Sequence, residues 1–193
     1  YNEDLTHRGC YPTQDTGSHN IIVGAGHSYT SFGGFVTGLC NVISGEYSSV
    51  SGGRVNVASG ESSSISGGNH NEASGLSSSI SGGGYSLASG DYSSILGGHS
   101  NWAQGNSSSI TGGASNRTIG NLSTVNGGRV NYANGIYSSV NGGWHNEADG
   151  EASTVNGGYE NIAQGDRSTI GGGYRRVAIG IFDWIAGALF QDQ

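Results

Sequence analysis

The central part of this chain repeats one 15-residue frame, and that period limits the possible fold more than any other feature. Counted from an Asn at position 1, the frame has Ala at position 3, Gly at 5, Ser at 8, Val or Ile at 10, and Gly-Gly at 12 and 13. It returns with few exceptions from Asn41 to Gly180. A short fixed period is the signature of a solenoid, in which each coil stacks on the next.

Fifteen residues are too few for a helical hairpin, so each coil predicts two short strands joined by turns. Alternate residues of a strand share a face. The nearly constant positions 1, 3, 5, 8, 10 and 12 are therefore predicted to face inward, and the variable positions 2, 4, 9 and 11 outward. Stacked Asn and Ser side chains are expected to bond to the turn backbone of adjacent coils. The predicted fold is all-β, a parallel β-solenoid with about nine regular coils.

The repeat divides the chain into three parts. Residues 1–40 are predicted to form an irregular N-terminal cap with degenerate first coils, and residues 41–180 the regular solenoid. Residues 181–193 are the most apolar segment and are expected to cap the last coil or to dock into a neighbouring subunit. Such caps are expected because the open end of a solenoid pairs readily with other chains.

Composition excludes some classes of protein. The chain has 38 Gly and one Pro, and its seven basic residues are all Arg. A high Gly and Ser content alone would indicate a flexible chain, but the strict register opposes that interpretation. A net charge of -7 argues against nucleic acid as a partner. No run of 18 apolar residues is present, so no membrane span is predicted.

The two cysteines, Cys10 and Cys40, both precede the regular coils. A disulfide between them is expected in an extracellular protein, whereas two free thiols would be ordinary in a cytosolic one. We expect the disulfide, because the other features of the chain are typical of an exported protein.

Two outward columns are candidate interaction surfaces. Position 2 carries a line of apolar side chains that a monomer would leave in water, which favours self-association. These residues are Val57, Leu87, Trp102, Tyr132, Ile162 and Val177. Positions 9 and 11 form a flat face of small polar side chains, the candidate ice-binding face. Its residues are Ser49, Ser51, Ser64, Ser66, Ser79, Ser81, Ser109, Thr111, Thr124 and Thr154.

The sequence carries no motif for catalysis. Without Lys there is no phosphate-loop lysine, and there is no paired-cysteine metal motif and no His-Glu-x-x-His. The Ser at position 8 recurs in every regular coil, whereas a catalytic nucleophile would occur once. The sequence therefore predicts no enzymatic activity, no cofactor and no metal site.

The segment from Ser63 to Gly75, Ser-Ser-Ile-Ser-Gly-Gly-Asn-His-Asn-Glu-Ala-Ser-Gly, resembles the head repeats of trimeric autotransporter adhesins and related repeats of bacterial surface proteins and phage fibres. This resemblance implies a left-handed parallel β-roll, often trimeric and displayed outside the cell. The adhesin repeat is usually shorter and has a Val-Ala-Ile-Gly core, which only Val177-Ala178-Ile179-Gly180 approaches here.

The Asn-x-Ala-x-Gly-x-x-Ser-x-Ile-x-Gly frame also resembles the grass antifreeze proteins, which implies ice binding by a flat face of small residues. Two functions are therefore expected from different classes. The first is a non-enzymatic extracellular or cell-surface solenoid, structural or adhesive, that self-associates as a trimer or filament and contacts a host or surface ligand. The alternative is ice binding, which is weakened because Ser outnumbers Thr and Leu96 and Gly171 interrupt the array.

Overall fold

The computed structural model describes Cys10 and residues 15–186, and these contain β-strands and no helix. They form a parallel β-solenoid of about 11 turns with a 15-residue spacing, which confirms the predicted fold class. The number of turns is slightly larger than the nine regular coils expected, because degenerate coils also join the sheets. The chain divides after His99 into two compact units.

The described residues of the first unit form two parallel sheets, one from the odd-numbered strands and one from the even-numbered strands. The strands are β1 (Ile21–Ala25), β2 (Ser28–Tyr29), β3 (Phe35–Leu39), β4 (Val42–Ile43), β5 (Ser49–Val50), β6 (Val57–Ala58), β7 (Ser64–Ile65), β8 (Glu72–Ala73), β9 (Ser79–Ile80), β10 (Leu87–Ala88) and β11 (Ser94–Ile95).

The described residues of the second unit follow the same plan, with odd and even strands in separate parallel sheets. Its strands are β12 (Trp102–Ala103), β13 (Ser109–Ile110), β14 (Arg117–Thr118), β15 (Thr124–Val125), β16 (Tyr132–Ala133), β17 (Ser139–Val140), β18 (Glu147–Ala148), β19 (Thr154–Val155), β20 (Ile162–Ala163), β21 (Thr169–Ile170), β22 (Val177–Ala178) and β23 (Trp184–Ile185).

The first turns are one residue shorter than the others. Ile21 pairs with Phe35 and Phe35 with Ser49, a step of 14 residues, whereas Ser49 pairs with Ser64, a step of 15. Gly38 stands alone where later coils have Gly-Gly. A Cβ on Gly38 would lie 2.3 Å from the carbonyl oxygen of Gly53, so Gly38 is the counterpart of the second glycine of that pair.

Positions 10 and 3 form the interior, as predicted. The side chains at both positions are at most 1% exposed. The position 10 residues are Val50, Ile65, Ile80, Ile95, Ile110, Val125, Val140, Val155 and Ile170, and the position 3 residues are Ala58, Ala73, Ala88, Ala103, Thr118, Ala133, Ala148, Ala163 and Ala178. Both columns are buried because alternate strand residues point to one side of each sheet.

The Asn column at position 1 bonds to the backbone of adjacent coils, which confirms the expectation. The side-chain Oδ1 of Asn131 accepts the backbone N–H of Asn146 at 3.0 Å. Its Nδ2 donates to the carbonyls of Gly127 and Gly143, at 2.9 and 3.1 Å. One buried side chain thus connects the backbone of two coils.

The same expectation was wrong for most of the Ser column at position 8. Seven of its buried hydroxyls have no hydrogen-bond partner among the described residues, namely Ser48, Ser63, Ser78, Ser93, Ser138, Ser153 and Ser168. Two others are paired. Ser123 Oγ donates to the carbonyl of Gly120 at 2.6 Å, and Ser108 Oγ accepts from Thr118 Oγ1 at 2.8 Å. Most coils place Ala where Thr118 supplies that hydroxyl, so the partner is missing.

The two glycines of the Gly-Gly pair have different environments. Gly83 has φ +88°, and a Cβ there would lie 2.1 Å from the carbonyl oxygen of Gly98. A Cβ on Gly82 would meet nothing within 4 Å. The prediction that position 12 faces the interior is therefore wrong for Gly82, whose missing side chain would point into open space.

Two corners of each coil use the left-handed backbone region without glycine. Position 15, for example, has φ +56° at Val55 and +55° at Val130. A β-branched residue in this region is a steric outlier. Asn tolerates it better, because its short polar side chain bonds locally.

We expect Val130→Asn to raise the free energy of unfolding by about 1 kcal/mol, because it relieves a left-handed β-branched residue. The measurement is urea denaturation followed by circular dichroism. Val57→Asn is the control, since Val57 lies in strand β6 and has no positive φ, and it should lower stability. A Val130→Asn variant less stable than the parent would contradict this account of the corner.

The disulfide between Cys10 and Cys40 is present, across a sequence separation of 30 residues. Cys40 is buried beside the first coils, so the bond fixes Cys10 to them. In the chain-entropy model, a loop of this length contributes about 3–4 kcal/mol. Reduction should therefore lower the unfolding midpoint, and mass spectrometry of the freshly isolated protein should find no free thiol. Two free thiols would contradict it.

At the other end, the described residues of the apolar tail continue the coil. Strand β23 pairs in parallel with β21, and Ile170 lies opposite Ile185. Ile181, Phe182 and Trp184 are exposed. The expected closing of the last coil by residues 187–193 lies outside the described residues.

Candidate interaction surfaces

The position 2 side chains of the second unit form one stacked column, because the strands that carry them pair in register. The column is Trp102, Arg117, Tyr132, Glu147, Ile162 and Val177. Trp102 and Val177 are exposed, and the other four are half-buried. Apolar and charged side chains therefore interleave, so each apolar side chain is partly covered by a neighbour's aliphatic stem.

Arg117 lies against Trp102. Its guanidinium carbon is 5.3 Å from the ring centroid, a cation–π contact, and its Nε donates to Gln104 Oε1 at 2.5 Å. In the part of the chain that the structure describes, no carboxylate forms an ion pair with Arg117. The guanidinium is thus half-buried, held in place, and without an opposite charge.

Glu147 is the reverse case. Burial raises the pKa of its carboxyl, and the nearby Asp149 raises it further, while His145 acts in the opposite direction. Asp149 itself accepts a hydrogen bond from Asn134 Nδ2 at 2.7 Å. Among the described residues Glu147 has no ion-pair partner. The column thus holds one uncompensated cation and one uncompensated anion.

The first unit carries a less apolar version of this column. Val57 and Leu87 are half-buried, and Glu72 lies between them in the sheet. Sequence reasoning considered position 2 and missed two exposed residues at position 4 of the second unit, Ile119 and Ile179. The signal was available, because residues two apart on a strand share a side.

On the opposite sheet, the candidate ice-binding residues occupy two levels of exposure. At position 9, Ser49, Ser64, Ser79, Ser109, Thr124 and Thr154 are half-buried. At position 11, Ser51, Ser66, Ser81 and Thr111 are exposed. Further along position 11 the side chains are amides. Asn126 Nδ2 donates to Asn141 Oδ1, and Asn141 Nδ2 to Asn156 Oδ1, both at 2.7 Å. The exposed Leu96 interrupts the polar array.

One corner of the second unit carries a row of stacked rings. The centroids of Trp144 and Tyr159 are 4.7 Å apart, and those of Tyr159 and Tyr174 are 5.4 Å apart. Hydrogen bonds from Tyr159 and from Arg175 lower the pKa of the Glu160 carboxyl. These contacts satisfy the corner internally, so its aromatic and charged groups are partners of one another.

Two searches for known kinds of site gave no result. Within residues 15–186 and Cys10, no three His, Cys, Asp or Glu side chains come together as they would around a metal ion. The same residues include no helix long and apolar enough to cross a membrane. No known family model matches the sequence, and a comparison with curated proteins finds no match.

Proposed function

We propose that this chain is a non-enzymatic structural or adhesive solenoid that acts outside the cell and self-associates through its position 2 surface. The observation that carries the proposal is the exposure of large apolar side chains on that side of the second unit. Trp102 is 43% exposed, Ile119 45%, Val177 47% and Ile179 73%. Contiguous apolar surface of this kind is typical of interaction sites.

Association is favoured because it removes this surface from water. Fully burying a large apolar side chain contributes about 1.5–3 kcal/mol before the cost of association is subtracted. The interior cannot accept these side chains, since each coil already fills it with one Val or Ile and one Ala. A second molecule is therefore the natural way to cover them.

The extracellular location rests on separate support. A disulfide such as Cys10–Cys40 persists in oxidising compartments and is rare in the cytosol. The resemblance of the Ser63 to Gly75 segment to adhesin head repeats points to the same setting. An adhesive role, with a surface ligand as a second partner, belongs to the proposal on that resemblance.

The test is to place charges on the proposed surface and to measure assembly. We expect Trp102→Glu with Ile162→Glu to shift the protein to a smaller species in light scattering and electron micrographs. The matched control is Ser109→Glu with Thr169→Glu, which puts two charges at the same coil spacing on the opposite sheet and should leave assembly unchanged. A parent that stays monomeric at high concentration would contradict the proposal.

Ice binding is the second candidate, and the amide ladder is the observation that favours it. Asn126, Asn141 and Asn156 hold one another in a fixed, exposed line beside the position 9 hydroxyls. A rigid, regularly spaced polar array loses little conformational entropy on binding a regular surface. The test is microscopy of ice crystals in protein solution. A parent that is monomeric and alters ice growth, with loss of the effect in Thr124→Glu with Thr154→Glu, would replace the first proposal.

A further inference from the structure

The position 2 column of the second unit reads nearly the same from both ends, in chemical terms. Tyr132 is its centre. One coil away on either side lie Arg117 and Glu147, which pair with the two edges of the Tyr132 strand. Two coils away lie Trp102 and Ile162. The column is thus apolar, cation, Tyr, anion, apolar, with each step about 4.8 Å along the stack.

Such a column is complementary to its own reverse. If a second copy faces it with the direction of stacking reversed, Arg117 lies opposite the second copy's Glu147, and Glu147 opposite its Arg117. Trp102 then lies opposite the second copy's Ile162, and the two Tyr132 side chains meet at the centre. If the second copy runs in the same direction, like charges meet instead. Like charges across an interface oppose association, so the charges select the reversed arrangement.

We propose that two copies of this chain associate through the position 2 column as an antiparallel two-fold dimer centred on Tyr132. This proposal rests on the self-association proposed above and gives it a geometry. A two-fold contact uses the same patch on both copies and closes on itself, so this surface produces a dimer.

The local environment of the two charges supports the pairing. The Arg117 guanidinium is already fixed by Gln104 and the Trp102 ring, so little side-chain freedom remains to be lost on binding. Glu147 is half-buried beside Asp149 and has no ion pair among the described residues. A guanidinium from a second copy would compensate both unfavourable effects on that carboxylate. Position 4 is less symmetric, since Ile119 would face the second copy's Asp149, so position 2 carries the contact.

Charge reversal gives the decisive experiment, with the dimerisation constant measured by analytical ultracentrifugation. Arg117→Glu leaves two anions in the column, and Glu147→Arg leaves two cations. Each variant alone should dimerise about 100-fold or more weakly than the parent. An equal mixture of the two should recover dimers, because an all-anionic column then faces an all-cationic one. The double variant Arg117→Glu with Glu147→Arg should also recover dimers, since its column is again self-complementary.

The outcomes separate the two proposals, and circular dichroism checks that every variant folds. A parent that does not associate at all overturns both. A parent that associates while the single variants associate equally well leaves self-association standing and overturns the antiparallel dimer. Weak single variants that the mixture does not rescue also overturn it.

Tyr132→Cys provides an independent check of the centre of the dimer. The protein has no free thiol of its own, so the introduced thiol is the one available for crosslinking. Because the two copies meet at this position, mild oxidation should join them by an intermolecular disulfide, seen as a covalent dimer on a non-reducing gel. A variant that dimerises in ultracentrifugation but forms no covalent dimer would overturn the proposed centre.

Discussion

Gly83→Ala will strongly destabilise the solenoid, whereas Gly82→Ala, one residue earlier, will be tolerated. A Cβ at Gly83 would lie 2.1 Å from the carbonyl oxygen of Gly98 and 2.9 Å from its nitrogen, so the backbone of two coils would have to separate. The φ of +88° adds a cost of about 1–2 kcal/mol for any residue with a Cβ. With the overpacking, we expect a loss of about 3–5 kcal/mol.

The matched variant differs because nothing lies near a Cβ at Gly82. Replacing Gly by Ala at such a site restricts the unfolded chain and contributes up to about 1 kcal/mol. Urea denaturation of both variants, followed by circular dichroism, measures the difference. Equal loss of stability in the two variants would show that both glycines serve the packing of the coils and would contradict the distinction drawn here.

This pair also shows where reading the sequence ends. Both glycines recur in every regular coil, and recurrence alone cannot separate a steric requirement from another cause. The interior columns, represented by Ile110 and Ala103, were predictable because a period of 15 residues combined with strand alternation fixes which side chains face inward. The contact between Gly83 and Gly98 depends on the distance between two backbones, which no residue pattern encodes.

Other features escaped prediction for related reasons. The left-handed corners have no common residue type, since Tyr137, Ala152 and Arg167 occupy the same position with φ between +54° and +60°. The shorter first turns depend on Gly38 replacing a Gly-Gly pair, which becomes visible once the strands are aligned in space. The position 2 column was recognised as apolar, but its reversed charge symmetry needed the register that sets Arg117 and Glu147 equally far from Tyr132.

Asn131→Ala should cost about as much as the clash at Gly83, although it removes only a few atoms. Asn131 is fully buried, and its side chain makes hydrogen bonds to the backbone of Asn146, Gly127 and Gly143. Each hydrogen bond contributes about 1 kcal/mol, and leaving a buried N–H without a partner adds about 1–3 kcal/mol. We therefore expect a loss of about 3–5 kcal/mol in urea denaturation, with early hydrogen exchange at the amide of Asn146.

Ser138→Ala, in the same coil, is the control that makes the Asn131 result specific. The Ser138 hydroxyl is equally buried but has no partner among the described residues, so its removal should change stability by no more than about 0.5 kcal/mol, or raise it slightly. The contrast tests whether satisfied backbone groups, rather than buried polar side chains as such, hold adjacent coils together. If Ser138→Ala costs as much as Asn131→Ala, the hydroxyl column has partners that stabilise the coil, and the Asn column loses its special role.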